Sequence, residues 1–122
     1  SKKELMIQFC IAYSGILSKH NLCATGTTGK QVEEATGLNI KQYLIGSQGG
    51  CQQISSKISC NEIDLVIFFR DPLHHKSSDP DETDVLRLCD VYNLPVATNI
   101  ATAETLIMAL ARGDLDWREY VR

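Results

Sequence analysis

Apolar residues in "KELMIQFCIAYSGIL" (3–17) recur at helical spacing, with Leu5, Phe9, Ala12 and Ile16 on one face. This predicts an amphipathic helix ending near 18–21. "LCA" (22–24) is a short strand that runs into a Thr/Gly loop, and "GKQVEEATG" (29–37) reads as a helix stopped by Gly37. "IKQYLI" (40–45) is a second strand, followed by the glycine-rich "GSQGG" (46–50) and a helix from about 52 to 59. "IDLVIFFRDPL" (63–73) is the clearest strand, apolar on both faces as a central parallel strand should be. After the polar "HHKSSDPDETD" (74–84) come a helix through "VLRLCDVYN", a strand at "LPVATN", a helix at "ATAETLIMALARG" and the short tail "DLDWREYVR".

Strands alternating with helices, and loops rich in Gly and Thr after the strands, predict a doubly wound α/β domain around a parallel sheet. At 122 residues, 1–122 is one domain, with no internal repeat and no low-complexity tract. One feature is unusual for such a fold: the chain starts on a helix.

Composition adds exclusions. The net charge of −3, without a dominant Lys/Arg cluster, argues against nucleic-acid binding. No apolar run approaches the roughly 18 to 20 residues of a membrane span, and no signal peptide pattern opens the chain, so a cytoplasmic protein is expected. Five cysteines without a C-x-x-C spacing do not suggest a disulfide framework or a zinc site. Cys10, Cys23 and Cys89 sit in apolar contexts and are expected to be buried.

The loop 24–29, "ATGTTG", combines a helix N-terminus, whose unpaired N–H groups and dipole favour an anion, with three threonine hydroxyls. It departs from a Walker loop, because Ala24 and Gln31 stand where that pattern needs Gly and Ser/Thr. The alternative is an N-capping turn without a ligand. "GSQGG" could form a further backbone nest. Asp71 leaves the central strand where ligands sit in this fold class, and it could equally cap a turn fixed by Pro72. His74 and His75 read as solvated loop residues, since no ligand partners stand at metal spacing. Cys51, at a strand-to-helix turn, is either an inert turn cysteine or a thiol activated by the helix N-terminus.

Together, "ATGTTG", "EATGL", "IDLVIFFRDPL", "DPD" ahead of "LRLCDVYNLPVATN", and "ATAE" closely resemble the methylglyoxal synthase family across nearly the whole chain. The resemblance implies a three-layer α/β/α fold with a mostly parallel sheet in flavodoxin-like order. It also implies a homohexamer, no metal or organic cofactor, and conversion of dihydroxyacetone phosphate to methylglyoxal and inorganic phosphate. On matching positions, Lys3, Thr25, Gly26, Thr27, Thr28 and Gly46 would cradle the phosphate of a triose phosphate, or inorganic phosphate itself. Asp71 and Asp81 match acidic residues lining the family's active site.

The departures fall on the chemistry. The family's "GGDQQ" is "GGCQQ" here, so Cys51 stands at the position of the general base. The family's substrate-contacting histidine is Ser78, and a serine of the phosphate cradle is Ile45. An ordinary thiol, with a pKa of about 8.5, is only a few per cent thiolate at pH 7, so impaired turnover with retained phosphate binding is expected. A non-catalytic phosphate- or phosphosugar-binding regulatory module is the alternative. The family's fold also starts with a strand ending in His-Asp, directly before the segment matching Ser1. That first strand is absent from this sequence, and a preceding strand is expected to complete the sheet.

Overall fold

The computed structural model describes residues 2–44, 49–70 and 83–120. The first helical segment is split. Helix α1 (Lys2–Ala12) ends at Tyr13 and a single further turn, α2 (Ser14–Leu17), follows. Phe9 is buried, and Leu5 and Ile16 are partly buried as expected, but the break leaves Ala12 exposed. Strand β1 (Leu22–Thr25) leads directly into α3 (Gly26–Thr36), which ends on Gly37 at φ 75°. Strand β2 (Ile40–Tyr43) pairs parallel with β1, Leu22 opposite Ile40 and Thr25 opposite Tyr43. Then come α4 (Gly50–Ser59), β3 (Val66–Ile67), α5 (Thr83–Val91), β4 (Val96–Ala97), α6 (Ile100–Ala111) and a 3-10 turn over Asp116–Tyr120.

Two parallel pairs, β1–β2 and β3–β4, form the sheet layer, and among the described residues no ladder joins them. The β3–β4 ladder is short, but its bonding continues: the Phe68 N–H donates to the Ala97 carbonyl at 3.0 Å and the Arg70 N–H to the Thr98 carbonyl at 3.1 Å. Side-chain alternation shows the layers. Ile67 and Ala97 face a core with Phe9 and Cys10 of α1, Val32 of α3, and Ala103 and Ile107 of α6. Their neighbours Val66 and Val96 face a second core with Ile58 of α4 and Val85, Leu88 and Cys89 of α5. Both faces of the central strands are therefore covered, as their continuous apolar run predicts. The first core also takes in Ala24 and Ile40, so both strand pairs lie under one helical layer. Phe9 meets Phe69 edge-on, with ring centroids 5.9 Å apart.

Glu33 fastens α3 to β2. Its carboxylate accepts from the Ile40 N–H at 3.2 Å and from the Gln42 amide at 2.8 Å. At the amino ends of β3 and β4, Arg118 is the one buried charged side chain among the described residues. It pairs with Asp64 at 3.2 Å and donates to the Asn93 carbonyl at 2.9 Å and to Asn61 at 3.4 Å. Both asparagines have positive φ. The cavity of about 270 Å³ that Arg118 lines with Tyr92 and Trp117 is thus bordered by a guanidinium already engaged within the protein.

One expectation about the cysteines fails. Cys10 and Cys89 are buried, but Cys23 is exposed. The strand period of two explains this: Leu22 and Ala24 turn into the core, so Cys23 points to the other face beside Lys41.

Candidate functional site

The carboxyl ends of β1 and β2 place two helix N-termini side by side. Thr25 ends β1 and is the N-cap of α3, yet its side chain makes no cap hydrogen bond. The loop is thus the N-terminal turn of α3, capped without the Thr25 hydroxyl. The N–H groups of a first helical turn have no intrahelical acceptor. That of Gly26 donates to the Leu44 carbonyl at 3.2 Å, which fixes the α3 N-terminus to the exit of β2. Thr27 is exposed, and Thr28 and Gly26 are partly buried.

Helix α4 approaches the same point. Its N-cap, Gly49, has φ 108°, in the region that favours glycine. A Cβ on Gly50 would collide with the Leu44 carbonyl oxygen and lie 2.9 Å from the Thr25 methyl group. The paired glycines of "GSQGG" therefore bring the first turn of α4 against the N-cap of α3, and Cys51 rides on that turn, half-buried. Gln53, in the same turn, accepts from the Leu44 N–H at 2.8 Å. Sequence reasoning had no reason to single out Gln53, because its spacing is that of any solvated helical glutamine.

The site residues expected from the sequence thus separate into three groups. Thr25, Gly26, Thr27, Thr28 and Cys51 are gathered by the Leu44 peptide. Lys3 is exposed in the first turn of α1, the helix that packs on α3. Gly46, Asp71, Ser78 and Asp81 lie outside the described residues, as do Ile45, His74 and His75. Among the described residues no cluster of His, Cys, Asp and Glu could hold a metal ion, and no helix is long and apolar enough to cross a membrane.

Outside this turn, the titratable groups of the β1–β2 pair form their own cluster. Desolvation raises the Cys23 thiol pKa, against the lowering effects of a hydrogen bond with Tyr43 and of Lys41 and Lys57. Desolvation, then the neighbouring Cys23, raises the Tyr43 phenol. Both groups stay protonated near neutrality, so neither supplies a thiolate or a phenolate to this face.

Two helix N-termini gathered beyond the carboxyl ends of parallel strands, under a three-layer α/β/α frame, define a doubly wound α/β domain with its candidate site at the strand ends. The MGS-like domain family matches residues 6–98. The chain is 63% identical over 120 residues to a methylglyoxal synthase of Caldicellulosiruptor saccharolyticus, covering 98% of this chain and 85% of that protein. It is 53% identical over 121 residues to one from Oceanobacillus iheyensis, covering 99% and 86%. The crystal structure of methylglyoxal synthase from Elizabethkingia anophelis NUHP1 superposes with a TM-score of 0.84 at 43% identity, over 87% of this chain and 70% of that one. The chain belongs to the MGS-like domain family.

Proposed function

We propose that this protein is a triose-phosphate lyase of the methylglyoxal synthase type, slowed by the replacement of its base. The reading is carried by the junction of α3 and α4 at the Leu44 peptide, which sets the threonine-rich turn beside Cys51. The phosphate of dihydroxyacetone phosphate would take the N–H groups of Thr27 and Thr28 and the hydroxyls of Thr25, Thr27 and Thr28, beside Gly26, with Lys3 adding charge. A base beside it removes the proton alpha to the ketone, giving an enediolate. The electron pair then expels phosphate by breaking its C–O bond, and the resulting enol rearranges to methylglyoxal. Inorganic phosphate leaves from the same cradle.

Cys51 occupies the base position. The loss of a positioned base costs about 10²- to 10⁴-fold in rate. Ser78 in place of a histidine removes polarisation of the enediolate oxygens, on the order of another 10²-fold. The cradle carries one substitution, Ile45, so binding outlasts catalysis. Asp71 and Asp81 are the further acids assigned to this chemistry, and Gly46 to the phosphate. The proposal extends to a cytoplasmic homohexamer acting without metal or organic cofactor.

The test is release of methylglyoxal and phosphate from dihydroxyacetone phosphate, by the native chain and by Cys51→Asp/Ser78→His. Trace turnover that rises at least about 10²-fold in the double variant is expected. Ordinary enzyme rates in the native chain would refute the impairment. Phosphate binding without turnover in either protein would favour a phosphate-binding regulatory module.

A further inference from the structure

We infer that Gln53 is a positioning residue that couples Cys51 to the anion-binding turn of α3 through the peptide of Leu44. The inference rests on the function proposed above and assigns a role to a side chain outside the cradle and the base position. The Leu44 peptide is held on both sides. Its carbonyl accepts from Gly26, the first residue of α3, at 3.2 Å. Its N–H donates to the Gln53 side-chain oxygen at 2.8 Å, one helical turn into α4. Gly50 fits against the same carbonyl, where no Cβ can be placed.

These contacts have different consequences. The Gly26 bond belongs to α3 and holds the cradle to β2 whatever α4 does. The Gln53 bond is a side-chain tie from the exit of β2 to the turn that carries Cys51. Leu44 is 52% exposed, so water can replace the lost acceptor and the fold does not depend on this bond. What depends on it is the register of the first turn of α4 against the N-terminus of α3. Displacement of a catalytic group by about 1 Å is enough to cost 10²-fold in rate. An acceptor is required at position 53, and a carboxylate serves as well as an amide.

The experiment uses the native chain with inorganic phosphate as probe. Phosphate affinity is measured by calorimetry, and the iodoacetamide alkylation rate of Cys51 is followed by peptide mapping, which separates it from the exposed Cys23 and Cys60. A phosphate dianion held beside the thiol suppresses its thiolate, so saturating phosphate should slow Cys51 alkylation about tenfold. Gln53→Leu is expected to keep phosphate affinity within about twofold while protection of Cys51 falls below about twofold. Gln53→Glu, which retains an acceptor, should keep the protection. Gln53→Ala gives the same reading should the leucine variant fold poorly. Full protection in Gln53→Leu or Gln53→Ala, with phosphate still bound, overturns the inference, as does phosphate binding in the native chain without protection. Failure of the native chain to bind phosphate overturns the proposed function instead.

Discussion

At the scale of single residues, the two ends of the domain depend on opposite kinds of side chain. At the candidate site the critical group is an absent one. Gly50→Ala would drive a methyl group into the Leu44 carbonyl, forcing α4 away from α3. Overpacking of this kind costs about 1–3 kcal/mol, and urea unfolding should show it together with loss of phosphate protection at Cys51. At the far end the critical group is large and charged. Arg118 ties the terminal turn to Asp64, Asn61 and the Asn93 carbonyl. Arg118→Met would fill similar volume but forfeit charge-assisted bonds, for a loss of about 2–3 kcal/mol. Phosphate affinity in that variant should be unchanged, because the clasp sits at the amino ends of β3 and β4. A loss of affinity there would show that the two ends are coupled.

At the scale of elements, most of the architecture was legible from periodicity and stops. Helix α3 ends where Gly37 predicted it, and α6 begins after Asn99, whose side chain accepts from the Thr102 N–H at 3.0 Å. The split between α1 and α2 was not legible, since "AYSG" holds no proline and its apolar spacing runs on. Nor was the outward face of Cys23, because a four-residue strand surrounded by apolar letters gives no sign of which set faces the helices. Cys10, on α1, did follow its apolar context. Its burial raises the thiol pKa to about 11, so the native state keeps a proton that the unfolded chain begins to lose near pH 9. Its contribution is therefore intact below about pH 9 and is lost as pH rises toward 11. Burial pushes the Cys89 thiol in the same direction. Urea midpoints measured from pH 8 to 10.5 should fall with rising pH, and Cys10→Ala should show a shallower fall. An unchanged slope in that variant would assign the alkaline loss to other groups.

The whole molecule poses the question that neither residues nor elements answer, which is how two strand pairs act as one sheet. Ala24 and Ile40 of one pair share a core with Ile67 and Ala97 of the other, and Phe9 of α1 reaches Phe69 past the end of β3. Yet no ladder among the described residues joins them. The threonine-rich turn was readable as a motif, whereas its junction with Cys51 depends on contacts between residues 26, 44, 50 and 53 that no spacing rule links. That junction hangs on the exit of β2, so the rigidity of the β1–β2 pair bears directly on the site. A further strand lying between the two pairs would supply a ladder to both at once. A chain extended ahead of Ser1 by an apolar strand of that kind is expected to gain about 3 kcal/mol or more, since each ladder bond contributes about 0.5–1.5 kcal/mol net. Urea unfolding of the extended and present chains would measure the gain. Amide exchange at Leu22–Thr25 and Val66–Ile67 should slow in parallel if the strand lies between the pairs. Equal stability with unchanged exchange would show that the helical layers alone hold the pairs in register, and that the candidate site needs no further strand behind it.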